Sequence, residues 1–183
     1  MKELSLHILD ITQNSIRAGA SLVKVIVDEN VHKNKLMIQI EDDGCGICKE
    51  KLSDITNPFV TSRTTRKVGL GLSLFKAAAE QSGGHFSINS EINVGTKVEA
   101  TFVYDHIDRA PLGNMAETIV AMILSFNDAN LIYQHRYNDK VFIFSTLEIK
   151  EILGDTPGIL KEPEILIWIK KTVTEELKDL REE

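Results

Sequence analysis

Residues 67–91 read KVGLGLSLFKAAAEQSGGHFSINSE, and they carry the strongest local pattern in the chain. The alanine-rich segment from Leu70 to Gln81 predicts a helix, closed by a glycine pair and followed by a predicted strand, HFSINS. Gly69 and Gly71 stand at the start of that helix, where backbone N–H groups without helical partners attract anions. The stretch therefore predicts an anion site. A tight turn is the alternative interpretation of a Gly-x-Gly pair standing alone.

Residues 9–20, LDITQNSIRAGA, belong to a helix that the apolar spacing predicts over 4–18. Asp10, Asn14 and Arg17 follow one another at i, i+4 and i+7 and share one face. The neutral amide oxygen of Asn14 is a suitable hard ligand for Mg²⁺, and Arg17 can pair with phosphate oxygens. The Asp10 carboxylate could polarise a water or hydroxyl that attacks a phosphate. The polar face of a surface helix is the alternative.

Residues 42–47, DDGCGI, follow a predicted strand and are punctuated by glycine. Asp42 can accept a hydrogen bond from an exocyclic amine. Gly44 and Gly46 let the backbone approach a flat ring closely. An acidic turn after a strand explains the same residues, so this pattern alone is common.

The remaining pattern up to residue 104 predicts helices over one face of a mixed or antiparallel sheet, an α+β fold with two layers. The alternating stretches that predict strands are 22–27, 35–41, 85–90 and 96–104. Residues 48–68 lack periodicity and are rich in Thr, Ser and basic residues, which indicates a long functional loop.

An extension of unknown role begins at residue 105, so we divide the chain into 1–104 and 105–183. Its predicted elements are a helix over 111–126, a hairpin over 131–145, a short helix over 148–153 and a last helix from Pro163. The apolar stripe of the last helix is Leu166, Ile169, Val173, Leu177 and Leu180. The stripe packs against its own domain or forms a dimer or partner groove, and Trp168 is expected to be buried in either case.

Composition excludes several classes of function. The chain has 183 residues, 21 basic against 27 acidic, for a net charge of −6, and its basic residues form no long run. This balance argues against nucleic-acid binding and against a membrane surface. Apolar runs are too short for a signal peptide or a membrane span, so we expect a cytoplasmic protein. Cys45 and Cys48 have the spacing of a redox dithiol or half a metal site, although tolerated small residues explain them as well.

Taken together and in order, these segments resemble the signatures of the GHKL superfamily of ATPases and kinases, which shares the Bergerat ATP-binding fold. LDITQNSIRAGA resembles its N-box, and DDGCGI resembles its adenine-binding motif. NPFVTSR (57–63) resembles its lid motif, and residues 67–91 resemble the phosphate-binding motif and following helix of histidine kinases. Gly95-Thr96 is similar to the pair that closes the adenine pocket. The resemblance covers residues 4–103 and implies a two-layer α/β sandwich with a lid over roughly 47–69.

The resemblance implies a role for each matching residue. Asn14 resembles the Mg²⁺ ligand, Asp42 the adenine ligand, and Thr96 the residue that shares a water with that carboxylate. The backbone-approach glycines are Gly44, Gly46, Gly69 and Gly71, with Leu70 and Leu72 completing the phosphate motif. In the lid, Arg63, Arg66 and Lys67 are cations that could reach a phosphate, although solvated loop charge explains them equally.

The chain departs from the superfamily pattern at Lys67 and Asp10, and at Arg17 it follows one branch of the superfamily and not another. Lys67 replaces the usual first glycine of the phosphate motif. Asp10 stands where hydrolytic members and anti-sigma-factor kinases carry Glu and many histidine kinases carry Asn. Arg17 matches the Lys of histidine kinases and departs from the Asp of the gyrase and MutL branch. These departures leave the reaction open.

Three functions fit the resemblance. The first is transfer of the ATP γ-phosphate to a protein partner, as in stand-alone anti-sigma-factor kinases, with Asp10 as base. The second is an ATP-gated binding module with negligible turnover. The third is slow ATP hydrolysis coupled to dimerisation. A homodimer is expected to be possible, and neither a nucleic-acid nor a membrane partner is expected. His7, three residues before Asp10, is expected to be a structural neighbour of Asp10.

Overall fold

The computed structural model describes residues 3–55 and 70–182. The helices are α1 (Leu4–Arg17), α2 (Lys49–Ile55), α3 (Leu70–Gln81), α4 (Met115–Ser125), α5 (Thr146–Leu153) and α6 (Pro163–Asp179), with a 3₁₀ turn at Ile159–Lys161. The strands are β1 (Leu22–Asn30), β2 (Lys35–Asp42), β3 (His85–Glu91), β4 (Gly95–Val103), β5 (Asn130–Tyr137) and β6 (Lys140–Ser145).

The strands form one six-stranded mixed sheet in the order β3-β4-β2-β1-β5-β6. Neighbouring strands are antiparallel except β1 and β5, which pair in parallel with Val23 opposite Leu131. The predicted α+β fold with a mixed sheet is therefore confirmed. The hairpin of the extension, β5–β6, continues the sheet of the first region. The division at residue 104 stays a prediction.

The core lies between one face of the sheet and the helices. Alternate residues of β1 and β2 point to this face, as the period of two requires. The fully or almost fully buried residues are Val23, Val25 and Val27 of β1 and Leu36, Ile38 and Ile40 of β2, and they face Leu4, Ile8 and Ile11 of α1. Each such side chain contributes roughly 1.5–3 kcal/mol to folding. This packing holds α1 across the sheet, with its polar face free to carry a site.

The prediction of a loop over 48–68 is wrong for its first part, because residues 49–55 form α2. This helix spans less than two turns, and Ile55 packs against the core. An apolar pattern needs more than two turns to show a helical period, which explains the error. Residues 56–69 lie outside the described residues.

The helix predicted from Pro111 begins later, at Met115. The backbone carbonyls of Pro111 and Leu112 accept hydrogen bonds from the N–H groups of Leu4 and Ser5, at 3.0 and 2.8 Å. The carbonyls of residues 111–112 therefore cap the first turn of α1. The helix starts after them because Asn114 caps it, accepting a hydrogen bond at its side chain from the N–H of Glu117.

The apolar stripe of α6 packs against its own domain. Ile169 and Val173 are fully buried, Leu180 is nearly so, and Leu166 and Leu177 pack against the core or lie half-buried beside it. The expectation that Trp168 is buried is wrong, since 52% of it is exposed. Successive helical residues point about 100° apart, so the neighbour of a buried residue can leave the buried face. Within residues 3–55 and 70–182, no helix is long and apolar enough to span a bilayer.

Candidate nucleotide site

The C-terminal half of α1 presents the predicted polar face between the sheet and α3. Asp10 and Asn14 are half-buried and Arg17 is exposed. The Arg17 guanidinium donates a 2.9 Å hydrogen bond from Nη1 to Oδ1 of Asn14. The amide oxygen that suits a metal ion is thus paired with a cation. A metal-bound phosphate at this point would give the guanidinium an anionic partner.

Asp10 reaches the first turn of α3. A β-carbon placed on Gly71 would stand only 1.8 Å from Oδ2 of Asp10, so the carboxylate lies directly against the Gly71 backbone. Gly71 and Leu72 are buried, whereas Leu70 is 76% exposed. The N-box helix and the glycine-containing helix start are therefore neighbours in space. Only glycine leaves room for the carboxylate there.

Asp42 lies at the end of β2, and both of its carboxylate oxygens are engaged. Oδ2 accepts a 2.5 Å hydrogen bond from Oγ of Ser15, and Oδ1 accepts a 2.9 Å bond from the N–H of Gly44. Ser15 is buried on α1, one position after Asn14. Sequence reasoning missed Ser15, although a serine at i+4 from Ile11, in line with the apolar face, is a signal that it is buried.

The glycine turn after Asp42 is held by backbone hydrogen bonds on both sides. The N–H of Cys45 donates to the carbonyl of Ala18, and the Cys45 carbonyl accepts from the N–H of Asn93, both at 2.9 Å. Gly46 has φ of +70°, and a β-carbon on it would stand 2.0 Å from the Glu91 carbonyl oxygen. The turn needs glycine at 46 for both reasons.

The predicted pair Gly95-Thr96 lies beside the backbone of Asp42, on the neighbouring strand. Thr96 is opposite Asp42 in the β2–β4 register. A β-carbon on Gly95 would stand 1.9 Å from the Asp42 carbonyl oxygen. The Thr96 hydroxyl lies 2.8 Å from that of Ser90, which also accepts a 2.8 Å hydrogen bond from the N–H of Ile47. Ser90, which sequence reasoning missed, thus ties the glycine turn to β4.

Asp43, next to Asp42, binds the backbone at the start of β1. Its carboxylate accepts hydrogen bonds from the N–H groups of Ser21 and Leu22, at 2.8 and 2.9 Å, and from the Ser21 hydroxyl. Burial raises the pKa of Asp43, but these hydrogen bonds outweigh it and the net pKa is lowered. Asp43 fixes the start of β1.

His7 lies on α1, one turn before Asp10. It is only 2% exposed, and its ring centroid lies 5.4 Å from that of Phe75 on α3. Burial lowers the pKa of His7 to about 4, against the opposing effect of the Asp10 carboxylate, so the imidazole is neutral at pH 7. Its buried Nδ1 has no hydrogen-bond partner. These features fit a residue that packs α1 against α3.

Several predicted site residues fall outside the described residues: Arg63, Arg66, Lys67, Gly69 and the motif NPFVTSR at 57–63. Cys45 is exposed, Cys48 is half-buried and both are free thiols. In the described part of the chain, no three His, Cys, Asp or Glu side chains group as metal ligands. The structure places Asp10 against Gly71, which Leu70 and Leu72 flank, and pairs Arg17 with Asn14. It also places Asp42 beside Gly44, in the turn that contains Gly46, and opposite Thr96 in the sheet.

Comparison with known families gives the fold a context. Residues 2–106 match the family model described as histidine kinase-, DNA gyrase B- and HSP90-like ATPase. The fold is similar to that of the Aquifex aeolicus MutL ATPase domain complexed with ADP. The TM-score is 0.53 at 13% identity, and the match covers 85% of this chain and 68% of that one.

Among curated proteins, about half of the chain is similar to kinases and a sensor protein. Sporulation kinase D of Bacillus subtilis is 34% identical over 94 residues, which cover 51% of this chain and 18% of the kinase. Histidine protein kinase DivJ of Caulobacter vibrioides is 30% identical over 95 residues, 50% of this chain and 16% of the kinase. A protein of Shewanella frigidimarina described as a putative sensor protein is 31% identical over 103 residues, which cover 55% of this chain and 16% of that protein. The chain spans under a fifth of the length of these relatives.

Proposed function

This chain belongs to the histidine kinase-, DNA gyrase B- and HSP90-like ATPase family, and we propose that it binds ATP with Mg²⁺ and transfers the γ-phosphate to a protein partner. Membership of this family supports binding of an adenine nucleotide. We further propose that Mg²⁺ accompanies the nucleotide, that a protein accepts the phosphate, and that the site residues have the roles given below. The observation that carries it is the position of α1, whose Ser15 touches Asp42 and whose Asp10 touches Gly71. One helix thus connects an adenine-binding carboxylate with a phosphate-binding helix start.

The adenine end is built for recognition of an exocyclic amine. The Asp42 carboxylate is fixed by donors from Ser15 and Gly44, each occupying one oxygen. Each carboxylate oxygen can accept two hydrogen bonds, so either oxygen of Asp42 can also accept one from the adenine amino group. The tight approach of Gly46 and Gly95 to neighbouring backbone keeps the surrounding turn compact.

The phosphate end suits a metal-bound triphosphate. Asn14 offers a neutral amide oxygen, and the N–H groups in the first turn of α3, which have no acceptor within the helix itself, favour anions. Mg²⁺ held through Asn14 would neutralise phosphate charge, with waters and phosphate oxygens as its other ligands. The Arg17 guanidinium donates to Asn14 Oδ1 in this structure, and with nucleotide bound it would donate to a phosphate oxygen instead.

In the transfer step, Asp10 accepts the proton of the acceptor hydroxyl. The new bond joins that oxygen to the γ-phosphorus, the bond from the γ-phosphorus to the bridging oxygen breaks, and ADP leaves. Asp10 sits against Gly71, at the helix start where the phosphates would bind. A kinase of the anti-sigma-factor type fits this chemistry.

Binding is tested by calorimetry with ATP and excess Mg²⁺. We expect uptake of about one nucleotide by the wild type, a loss of at least about tenfold in affinity for Asp42→Asn, and weakened Mg²⁺ dependence for Asn14→Ala. Asp28→Asn, on the opposite face of the sheet in β1, is the matched control. Absence of nucleotide uptake by the wild type would overturn the proposal.

Transfer is tested with γ-labelled ATP and proteins that bind the chain in an ATP-dependent manner. Label appearing on a partner, and lost with Asp10→Asn, supports phosphotransfer. ATP-dependent partner binding that Asp10→Asn leaves intact, with no label transferred, would instead support an ATP-gated binding module. Label released only as inorganic phosphate would support slow hydrolysis.

A further inference from the structure

β6 is the outermost strand of the sheet on the side of the extension. It pairs with β5 along one edge, and within residues 3–55 and 70–182 no strand pairs with its other edge. An uncovered edge presents unpaired N–H and C=O groups that can pair with another chain. β6 therefore has the basic requirement for strand addition.

The register of the hairpin shows which groups of β6 point outward. Tyr137 pairs with Lys140 across the two-residue turn Asn138-Asp139, and such turns close on a hydrogen-bonded pair. Hydrogen-bonded and non-bonded pairs alternate along an antiparallel ladder. Val141 and Ile143 therefore direct their N–H and C=O groups away from β5, toward the free edge.

The side chains of these same residues are apolar and exposed. Val141 is 54% exposed and Ile143 is 55% exposed, on the face of the sheet opposite the helices, while Phe144 is buried on the helix face. Proline or a bulge would protect an edge, and the segment KVFIFS has neither: its register with β5 is regular, and its one charge, Lys140, lies at the turn end of the strand. Its edge is available for pairing.

The extension to which β6 belongs exposes other apolar side chains as well. Its exposed large hydrophobic residues are Ile107, Leu124, Val141, Ile143, Leu147, Ile152, Leu153, Ile167 and Trp168. α6 lies beside β6, where Lys140 Nζ donates to the backbone carbonyl of Glu182. Together with the free edge of β6, the exposed Val141 and Ile143 side chains mark this end of the sheet as an interaction site.

We propose that two copies of this chain associate through β6, paired antiparallel about a twofold axis so that the two sheets become continuous. Pairing of the outward-facing residues places Val141 opposite Ile143 of the second copy and Phe142 opposite its own counterpart. Lys140, the only charged residue of β6, then faces Phe144, so no like charges oppose each other. The net charge of −6 makes two copies repel, and β6, with no acidic residue, is a place where they can meet.

The oligomeric state is measured by equilibrium sedimentation without nucleotide, so that failure here leaves the nucleotide proposal untouched. We expect a dimer for the wild type. Val141→Lys and Ile143→Lys should each raise the dimer dissociation constant by at least about tenfold, because a lysine loses hydration at the seam. Ile92→Lys and Val94→Lys, at residues 58% and 60% exposed in the β3–β4 turn at the other end of the sheet, are matched controls.

Cross-linking provides a second measurement if a lysine variant fails to fold. In a Cys45→Ser, Cys48→Ser background, Phe142→Cys should form an interchain disulfide on mild oxidation, since residue 142 faces itself across the axis. Val31→Cys should not cross-link. A wild type that sediments as a monomer at every concentration up to about 100 µM would overturn the proposal. A monomer that binds an added KVFIFS peptide but not a second copy of the chain would overturn it as well. So would equal dissociation by the Ile92 and Val94 controls.

Discussion

Ser15 donates a 2.5 Å hydrogen bond from Oγ to Oδ2 of Asp42 and thereby joins α1 to the end of β2. The serine is buried and the carboxylate half-buried, so the bond is little exposed to competing water. This contact orients the carboxylate toward the glycine turn. The proposed adenine site therefore depends on Ser15, a residue of the LDITQNSIRAGA segment that has no role of its own in the superfamily resemblance.

Ser15→Ala should weaken binding of ATP and ADP alike by about 5–10-fold, because a hydrogen bond to a charged group is worth about 1.5–3 kcal/mol and only part of that acts on the nucleotide. Calorimetry with both nucleotides measures the change. Ser125→Ala is the control, since that serine bonds only the Met122 carbonyl within α4. Unchanged affinity in Ser15→Ala would show that Asp42 is oriented without it.

Gly71→Ala should impair phosphate transfer while changing the free energy of unfolding by less than about 1 kcal/mol. The added methyl would stand 1.8 Å from Oδ2 of Asp10, and that carboxylate can rotate away at the end of its side chain. Turnover and a denaturant melt on the same sample separate the two effects. Ser73→Ala, in the same helix, is the control. Full turnover in Gly71→Ala would remove Asp10 from the proposed transfer step.

Acid should weaken the contact between α6 and the sheet. Glu29 of β1 is 4% exposed, and its Oε1 accepts hydrogen bonds from His135 Nε2 at 2.7 Å and from Arg181 Nη2 at 2.6 Å. Burial raises the pKa of Glu29, but these two partners outweigh it and hold the pKa at about 2, below the ordinary 4.5. The carboxylate therefore contributes stability that is complete above pH 4.5 and is lost as pH falls toward 2.

Glu29→Gln tests this contribution, which is on the order of 2–3 kcal/mol at pH 7. The free energy of unfolding, measured from pH 7 to pH 3, should fall more steeply in the wild type than in the variant. Asp139→Asn, at an exposed hairpin turn, is the control and should follow the wild type. Parallel curves for wild type and Glu29→Gln would contradict the assignment.

His7→Leu should leave the protein as stable as the wild type or more stable by about 1 kcal/mol. The variant removes a buried Nδ1 that has no hydrogen-bond partner and keeps an apolar contact with Phe75. Thermal melts measure the stability, and γ-labelled ATP measures phosphorylation. Loss of label from the chain itself in His7→Leu would reveal a phosphoacceptor role in place of the structural one.

The sequence alone was sufficient for much of the fold. The boundaries of α1, α3 and the hairpin are close to those expected, because each element carries enough apolar residues at its own period. The sequence pattern did not predict α2, which is too short to show a helical period. It also placed the start of α4 at Pro111, whose carbonyl instead accepts a hydrogen bond from the first turn of α1. Trp168 was misplaced because a rule about residue type does not say which side of a helix is covered.

Local pattern by itself determined where helices, strands and glycine turns form, since propensity and periodicity act between residues close in the chain. The contact of Ser15 with Asp42, the position of Asp10 against Gly71 and the parallel pairing of β5 with β1 arise only in the folded chain. Those contacts join residues far apart in sequence. They are selected by packing of the whole core, which a local pattern does not encode.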